Sequence, residues 1–161
     1  MKRDITLSYQ EIKDFNSLSR IEQNLLSKAS LSLKSAYAPY SKFLVGASVL
    51  LSNNKIISGN NQENASFPCG ICAERVALFS AKSNYPNVSV KKIAITATST
   101  NFNLSEPAGP CGLCRQVLLE YEEMQKLDIQ IFLFNKNKII KIAKAKDLLP
   151  FFFMENRLIK K

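Results

Sequence analysis

Cys72, Cys111 and Cys114 constrain this chain more than any other feature, because cysteines from two distant segments read as ligands of a single metal ion. Cys111 and Cys114 have the i, i+3 spacing that puts both sulfurs on one face at the start of a helix. Cys72 also stands just before a run with helical spacing. The fold must therefore bring two helix starts to one point, where their partial positive charge favours thiolates. Three thiolates leave one corner of a zinc tetrahedron free, and Glu74 supplies a carboxylate next to it, the donor set of a catalytic zinc. Three thiolates on Zn²⁺ also carry a net negative charge, which opposes acidifying a bound water. Arg75 and Arg115 are the nearest groups in sequence able to offset it, by hydrogen bonds to the sulfurs or to neighbouring backbone.

A closed site competes with this reading. Cys69-x₂-Cys72 and Cys111-x₂-Cys114 make two CxxC pairs, the pattern of a four-cysteine structural zinc. Glu74 would then be a first-turn carboxylate that complements a helix dipole. Spacing alone leaves both arrangements open.

The chain has no histidine, which removes the commonest nitrogen ligand of zinc together with the commonest general base. Proton transfer falls to Glu, Asp, Cys, Lys, Tyr or water. The length of 161 residues and 46% hydrophobic content suit one domain, 1–161. The apolar runs 43–51 and 129–134 are too short to span a membrane, and no charged-then-apolar leader opens the chain. With cysteines in metal-ligand spacing, a soluble cytoplasmic protein is expected. The formal charge is +9, but residues 136–161 hold eight Lys or Arg against two acids. That edge reads as a solvated face, and no nucleic-acid partner is expected.

Ile21, Leu25, Leu26, Ala29 and Leu33 recur at helical spacing, so 18–37 reads as an amphipathic helix that stops before Pro39. Residues 43–51 read as a strand, Asn53-Asn54 as a tight turn and 55–59 as the returning strand. A polar loop leads to a second helix over 72–82, then a strand over 92–98. Pro107, Gly109 and Pro110 keep the next stretch irregular before a third helix over 111–125. Strands over 129–134 and 138–143 and a helical turn over 146–149 complete an α/β order, a mixed sheet with helices on its faces.

Several segments together carry a resemblance. Ala36-Tyr37-Ala38-Pro39-Tyr40-Ser41-Lys42-Phe43, Asn61-Gln62-Glu63-Asn64-Ala65, Cys72-Ala73-Glu74-Arg75, Pro110-Cys111-Gly112-Leu113-Cys114-Arg115-Gln116 and Leu148-Leu149-Pro150 follow one another as in a known family. Over residues 36–153 the chain resembles the small homotetrameric cytidine deaminases. The resemblance implies a three-layer α/β/α fold with a mixed, mainly five-stranded sheet, one zinc per subunit on Cys72, Cys111 and Cys114, and Glu74 as proton shuttle. It implies hydrolysis of cytidine or deoxycytidine to uridine or deoxyuridine plus ammonia, in pyrimidine nucleoside salvage. Phe43, Asn61, Glu63, Ala73 and Phe153 would contact the nucleoside, Phe153 by reaching into a neighbouring subunit's site. Arg75, Arg115 and Gln116 would support the zinc motifs. Cys69 stands where the family has no ligand, and the long stretch 98–109 and the segment before the first helix depart from it. A blasticidin-type deaminase shares the same zinc pattern; a Cys₄ module that binds nucleic acid is the rival of another class.

Overall fold

The computed structural model describes residues 1–154, so Arg157, Lys160 and Lys161 of the basic C-terminal stretch lie outside the described residues. Strands β1 (Tyr9–Ile12), β2 (Phe43–Leu51), β3 (Ile56–Asn60), β4 (Val90–Ser99), β5 (Gln130–Phe134) and β6 (Ile139–Ile142) form one sheet in the order β1-β6-β5-β4-β2-β3. Helices α1 (Arg20–Ser32), α2 (Ala73–Asn84) and α3 (Gly112–Gln125) cover it.

The alternation of side chains along the strands sorts the core into two faces. Ala47, Val49 and Leu51, with Ile93, Ile95, Ile131 and Leu133, pack against Ala77, Leu78 and Ala81 of α2 and Leu118 of α3. The residues between them, among them Leu50, Ala94 and Phe132, pack against Leu25, Leu26 and Ala29 of α1. The expected α/β/α layering follows. The sheet has six strands among the described residues rather than five. The added strand is β1, which pairs antiparallel with β6 from Tyr9↔Ile142 to Ile12↔Ile139. Its Tyr-Gln-Glu-Ile run is mostly exposed, so it lacks the buried alternation by which a strand is read from sequence.

Strand direction places the two helix starts. β2 is antiparallel to both β3 and β4, so β3 and β4 run the same way, and β5 is parallel to β4. Helix α2 follows β3 and α3 follows β4; both therefore begin at the same edge of the sheet. Gly59 lets α2 come close: a Cβ there would lie 2.5 Å from the amide nitrogen of Ala77 and 2.7 Å from the carbonyl oxygen of Ala73. Gly46 plays the same part for α1, against the Ala29 carbonyl and the Ser32 hydroxyl.

Two buried carboxylates tie the layers together. Glu122 on α3 accepts the backbone N–H groups of Ile129, Ala145 and Lys146, at 2.7, 2.7 and 3.0 Å, which fixes the start of β5 and the turn Ala145–Leu148 to α3. Glu22 closes a capping box with Ser19 at the start of α1 and accepts from Lys92 of β4 at 2.6 Å, with Lys141 of β6 at 3.6 Å. Burial raises the pKa of Glu22, but the Lys92 and Ser19 hydrogen bonds outweigh it and hold the carboxyl at about 2 against an ordinary 4.5. Glu22 thus stabilises the fold fully above pH 4.5, and the contribution is lost as pH falls toward 2. Glu22→Gln should cost about 2 kcal/mol at neutral pH. The gap from wild type should close across that acid window in a series of thermal melts.

Candidate functional site

Cys72 and Cys111 are the N-cap residues of α2 and α3, both extended and both without a side-chain capping bond. A cysteine there gives up the usual Ser or Asp cap. Its sulfur is given to the site instead. Cys114 lies one turn into α3 and is fully buried. The three sulfurs lie within 4.8 Å of one another and form a group able to hold a metal ion. Tetrahedral zinc with bonds of about 2.3 Å needs sulfurs about 3.8 Å apart; Cys72 Sγ and Cys111 Sγ are 3.8 Å apart. Thiolate donors also favour zinc over the harder cations. Cys69 is exposed, hydrogen-bonds Ser66 Oγ at 3.6 Å and does not belong to the group, so the site is not the closed four-cysteine pattern.

The charge of the sulfurs is met from α2. Arg75 donates to Cys72 Sγ at 4.0 Å, and its Nε is buried without a partner, a further donor held beside the thiolates. Without a metal, the Cys114 hydrogen bond, with help from Arg75 and Cys111, lowers the Cys72 thiol to about 5 despite burial. Cys114 is pushed up by the same bond and by burial, and zinc must displace its proton on binding. Arg115 takes the backbone option instead of the sulfurs: Nε donates to Pro110 O at 2.8 Å and a terminal N to Leu148 O at 3.1 Å, locking the approach to α3.

Glu74, in the first turn of α2, is 3% exposed and lines a cavity of about 750 Å³ together with Cys72 and Cys111. Burial raises its pKa, with the negative Cys72 adding to the shift. A carboxyl held this way exchanges a proton near neutrality more readily than a solvated one. Phe43, Asn61 and Glu63 line the same cavity. Asn61 bridges the start of β2, accepting from Val45 N and donating to Phe43 O, both at 2.8 Å. Glu63 accepts from the Ser41 hydroxyl and from the amides of Tyr40 and Ser41, at 2.9 and 3.3 Å. The Ser41 bond above all lowers its pKa, so it stays ionised.

Other expected site residues lie outside this cavity. Ala73 is buried at the start of α2 behind Glu74, with its carbonyl toward Gly59. Gln116 donates to Phe153 O at 2.9 Å and so tethers the C-terminal segment to α3. Phe153 itself is 70% exposed and contributes nothing to the cavity of its own chain. Sequence reasoning overlooked Tyr40 and Phe67, whose rings meet edge to face at 6.0 Å on the cavity wall, and Phe102, stacked on Phe43 at 6.2 Å. The signal for Phe67 and Phe102 was an aromatic set in an otherwise polar loop.

The family model for the cytidine and deoxycytidylate deaminase zinc-binding region matches residues 19–129. A cytidine deaminase of Halalkalibacterium halodurans is 38% identical over 128 residues, covering 80% of this chain and 90% of its own. One of Mycoplasma pneumoniae is 37% identical over 107 residues, covering 66% and 74%. The crystal structure of cytidine deaminase from Burkholderia pseudomallei aligns with a TM-score of 0.69 at 34% identity, covering 84% of this chain and 100% of that one.

Zinc titrations should separate the four cysteines. Cys69→Ser should keep one zinc per chain, whereas Cys114→Ser should lose tight binding. Arg75→Ala should weaken zinc about 10- to 100-fold in competition with a chromophoric chelator, since it strips the sulfurs of their donor.

Proposed function

The chain belongs to the cytidine and deoxycytidylate deaminase zinc-binding family, and from that premise we propose how its own residues divide the work. It is a zinc-dependent hydrolytic deaminase that converts cytidine to uridine and ammonia. Zinc on Cys72, Cys111 and Cys114 supplies, when bound, the acidity that makes water a nucleophile at neutral pH. The observation that carries the assignment is a buried Glu74 in the same cavity wall as Cys72 and Cys111.

Glu74 takes one proton of the attacking water and gives it to N3 of the cytosine ring as C4 is attacked; it then takes the second from the new C4 hydroxyl and gives it to the amino group, which leaves as ammonia. One carboxyl is base and acid in turn, and its raised pKa suits both. Arg75 keeps the sulfur cluster from becoming too negative for this chemistry. Phe43 gives the base an apolar wall. Asn61 and Glu63 hold the ribose hydroxyls. An amide has two donors and two acceptor lone pairs; with one of each used on β2, Asn61 keeps one of each for ligand. Glu63 also repels a 5′-phosphate, which favours nucleosides over nucleotides.

The assembly is a homotetramer in this proposal, with Phe153 of one subunit entering the site of another. Its support is exposure: Phe151, Phe152 and Phe153 are 95%, 41% and 70% exposed in one chain, more apolar surface than a free C-terminal segment keeps without a partner. We read 1–161 as one domain, because a single sheet takes strands from residue 9 to 142. Among the described residues no helix is long and apolar enough to cross a membrane. With four free cysteines, we place the enzyme in the cytoplasm, in nucleoside salvage.

The test is the ultraviolet change of cytidine with purified enzyme, abolished by a chelator and restored by zinc. Persistence of the rate after complete metal removal refutes the assignment, and blasticidin S as alternative substrate should turn over far more slowly. Glu74→Gln should retain zinc yet lose activity about 10³-fold or more, since it removes the proton carrier from every transfer. Cytidine monophosphate should be a much poorer substrate than cytidine, and Glu63→Gln should narrow that ratio.

A further inference from the structure

A second cavity, of about 810 Å³, opens on the α1 side of the sheet, at the ends of β4 and β5. We propose that it is an effector site for a nucleoside phosphate, coupled to the deaminase cavity through Phe102. Thr96 and Thr98 point into it, on the opposite face of β4 from Ile93 and Ile95. Thr96 is 5% exposed and stands on the cavity wall, where its hydroxyl can meet a ligand.

The rim supplies the charge. Lys13, Lys136 and Lys138 reach it from the N-terminal segment and from the turn between β5 and β6. Glu106 at 2.6 Å and Glu11 at 3.7 Å hold Lys138. Lys13 and Lys136 have no carboxylate in salt-bridge range among the described residues, so their ammonium groups are available to an anion. Phosphate is the anion that lysines take as point charges. Phe15, Phe102 and Phe134 supply apolar wall for a ring, and the volume is that of a site for one small organic ligand.

Phe102 joins the two cavities through Phe43. It lines the second, while its ring stacks on Phe43 at 6.2 Å and 22°. Phe43 lines the first. A ligand that presses on Phe102 therefore moves a wall of the substrate pocket without touching Glu74 or the sulfurs. Such coupling changes KM for cytidine more than kcat.

The test titrates CTP calorimetrically into zinc-loaded enzyme whose substrate cavity is saturated with uridine. One CTP should bind per chain. Lys13→Glu with Lys136→Glu should weaken it at least about tenfold, and inorganic tripolyphosphate should bind at least about tenfold more weakly than CTP, if charge and ring both contribute. Thr96→Val, a near-isosteric change that keeps the fold, should weaken CTP a few-fold. CTP should shift KM for cytidine in wild type and not in the double variant, whose turnover without CTP is unchanged. Loss of the CTP heat in the presence of uridine, equal affinity in the lysine variant, or tripolyphosphate binding as well as CTP each overturns the proposal. The heat is read without turnover, so a failed deaminase assay would leave this result standing.

Discussion

The shared direction of β3, β4 and β5 is what the rest of the structure depends on. Because β3 and β4 end at the same edge, the helices that follow them start there, and Cys72 and Cys111 become N-caps over one point. Had β3 run the other way, α2 would begin at the far edge and Cys72 would never meet Cys111 and Cys114. Ligand sites at the carboxyl ends of parallel strands arise for this reason in α/β sheets generally. Here the principle acts across an intervening antiparallel strand, β2, which forms the wall of the substrate cavity through Phe43 and Val45.

Charge then decides which groups the site must contain. Sulfur ligands alone drive the metal toward a negative total, in a chain with no histidine to replace one of them. Helix N-termini and the Arg75 guanidinium answer that excess from the same first turn that carries Glu74. The arrangement is economical in sequence because Cys72, Glu74 and Arg75 leave the start of one helix in different directions. Close packing at Gly59 holds that start against the sheet, so a shift of α2 would disturb metal, carboxyl and counter-charge together.

Much of this was legible in the sequence, for a physical reason. Phe43–Leu51 was read with the bounds it has, because a long apolar β-rich run followed by Asn-Asn is determined locally. The third helix was read to its observed end, and Cys72 and Cys111 were placed at helix starts, one position before the first helical residue. What stayed hidden depends on contacts between distant residues. β1 is defined by its pairing with β6, not by its own composition. Glu122 looks like any solvent-facing helical acid until Ile129, Ala145 and Lys146 are seen to aim their amides at it. Cys69 was separable from the metal ligands by family resemblance but not by spacing, since a CxxC pair is the same pair whether or not both sulfurs turn inward.

The polar loop illustrates why composition misled most where function is densest. Asn61-Gln62-Glu63-Asn64 has the make-up of a solvated turn, yet each of Asn61 and Glu63 is tied by its side chain to backbone many residues away. A carboxylate offers about four acceptor positions. Three of those on Glu63 are engaged by the Tyr40 and Ser41 amides and the Ser41 hydroxyl. That leaves room for about one ligand hydroxyl, and it fixes the carboxylate before any ligand arrives. Under the proposed assignment of these residues to the ribose, recognition by groups already held in place avoids ordering a loop on binding, so the interaction energy with the sugar goes to orienting the base toward Glu74. Under the same proposal, this immobility makes the site intolerant: a ligand that brings a second anion meets a charge that cannot turn away.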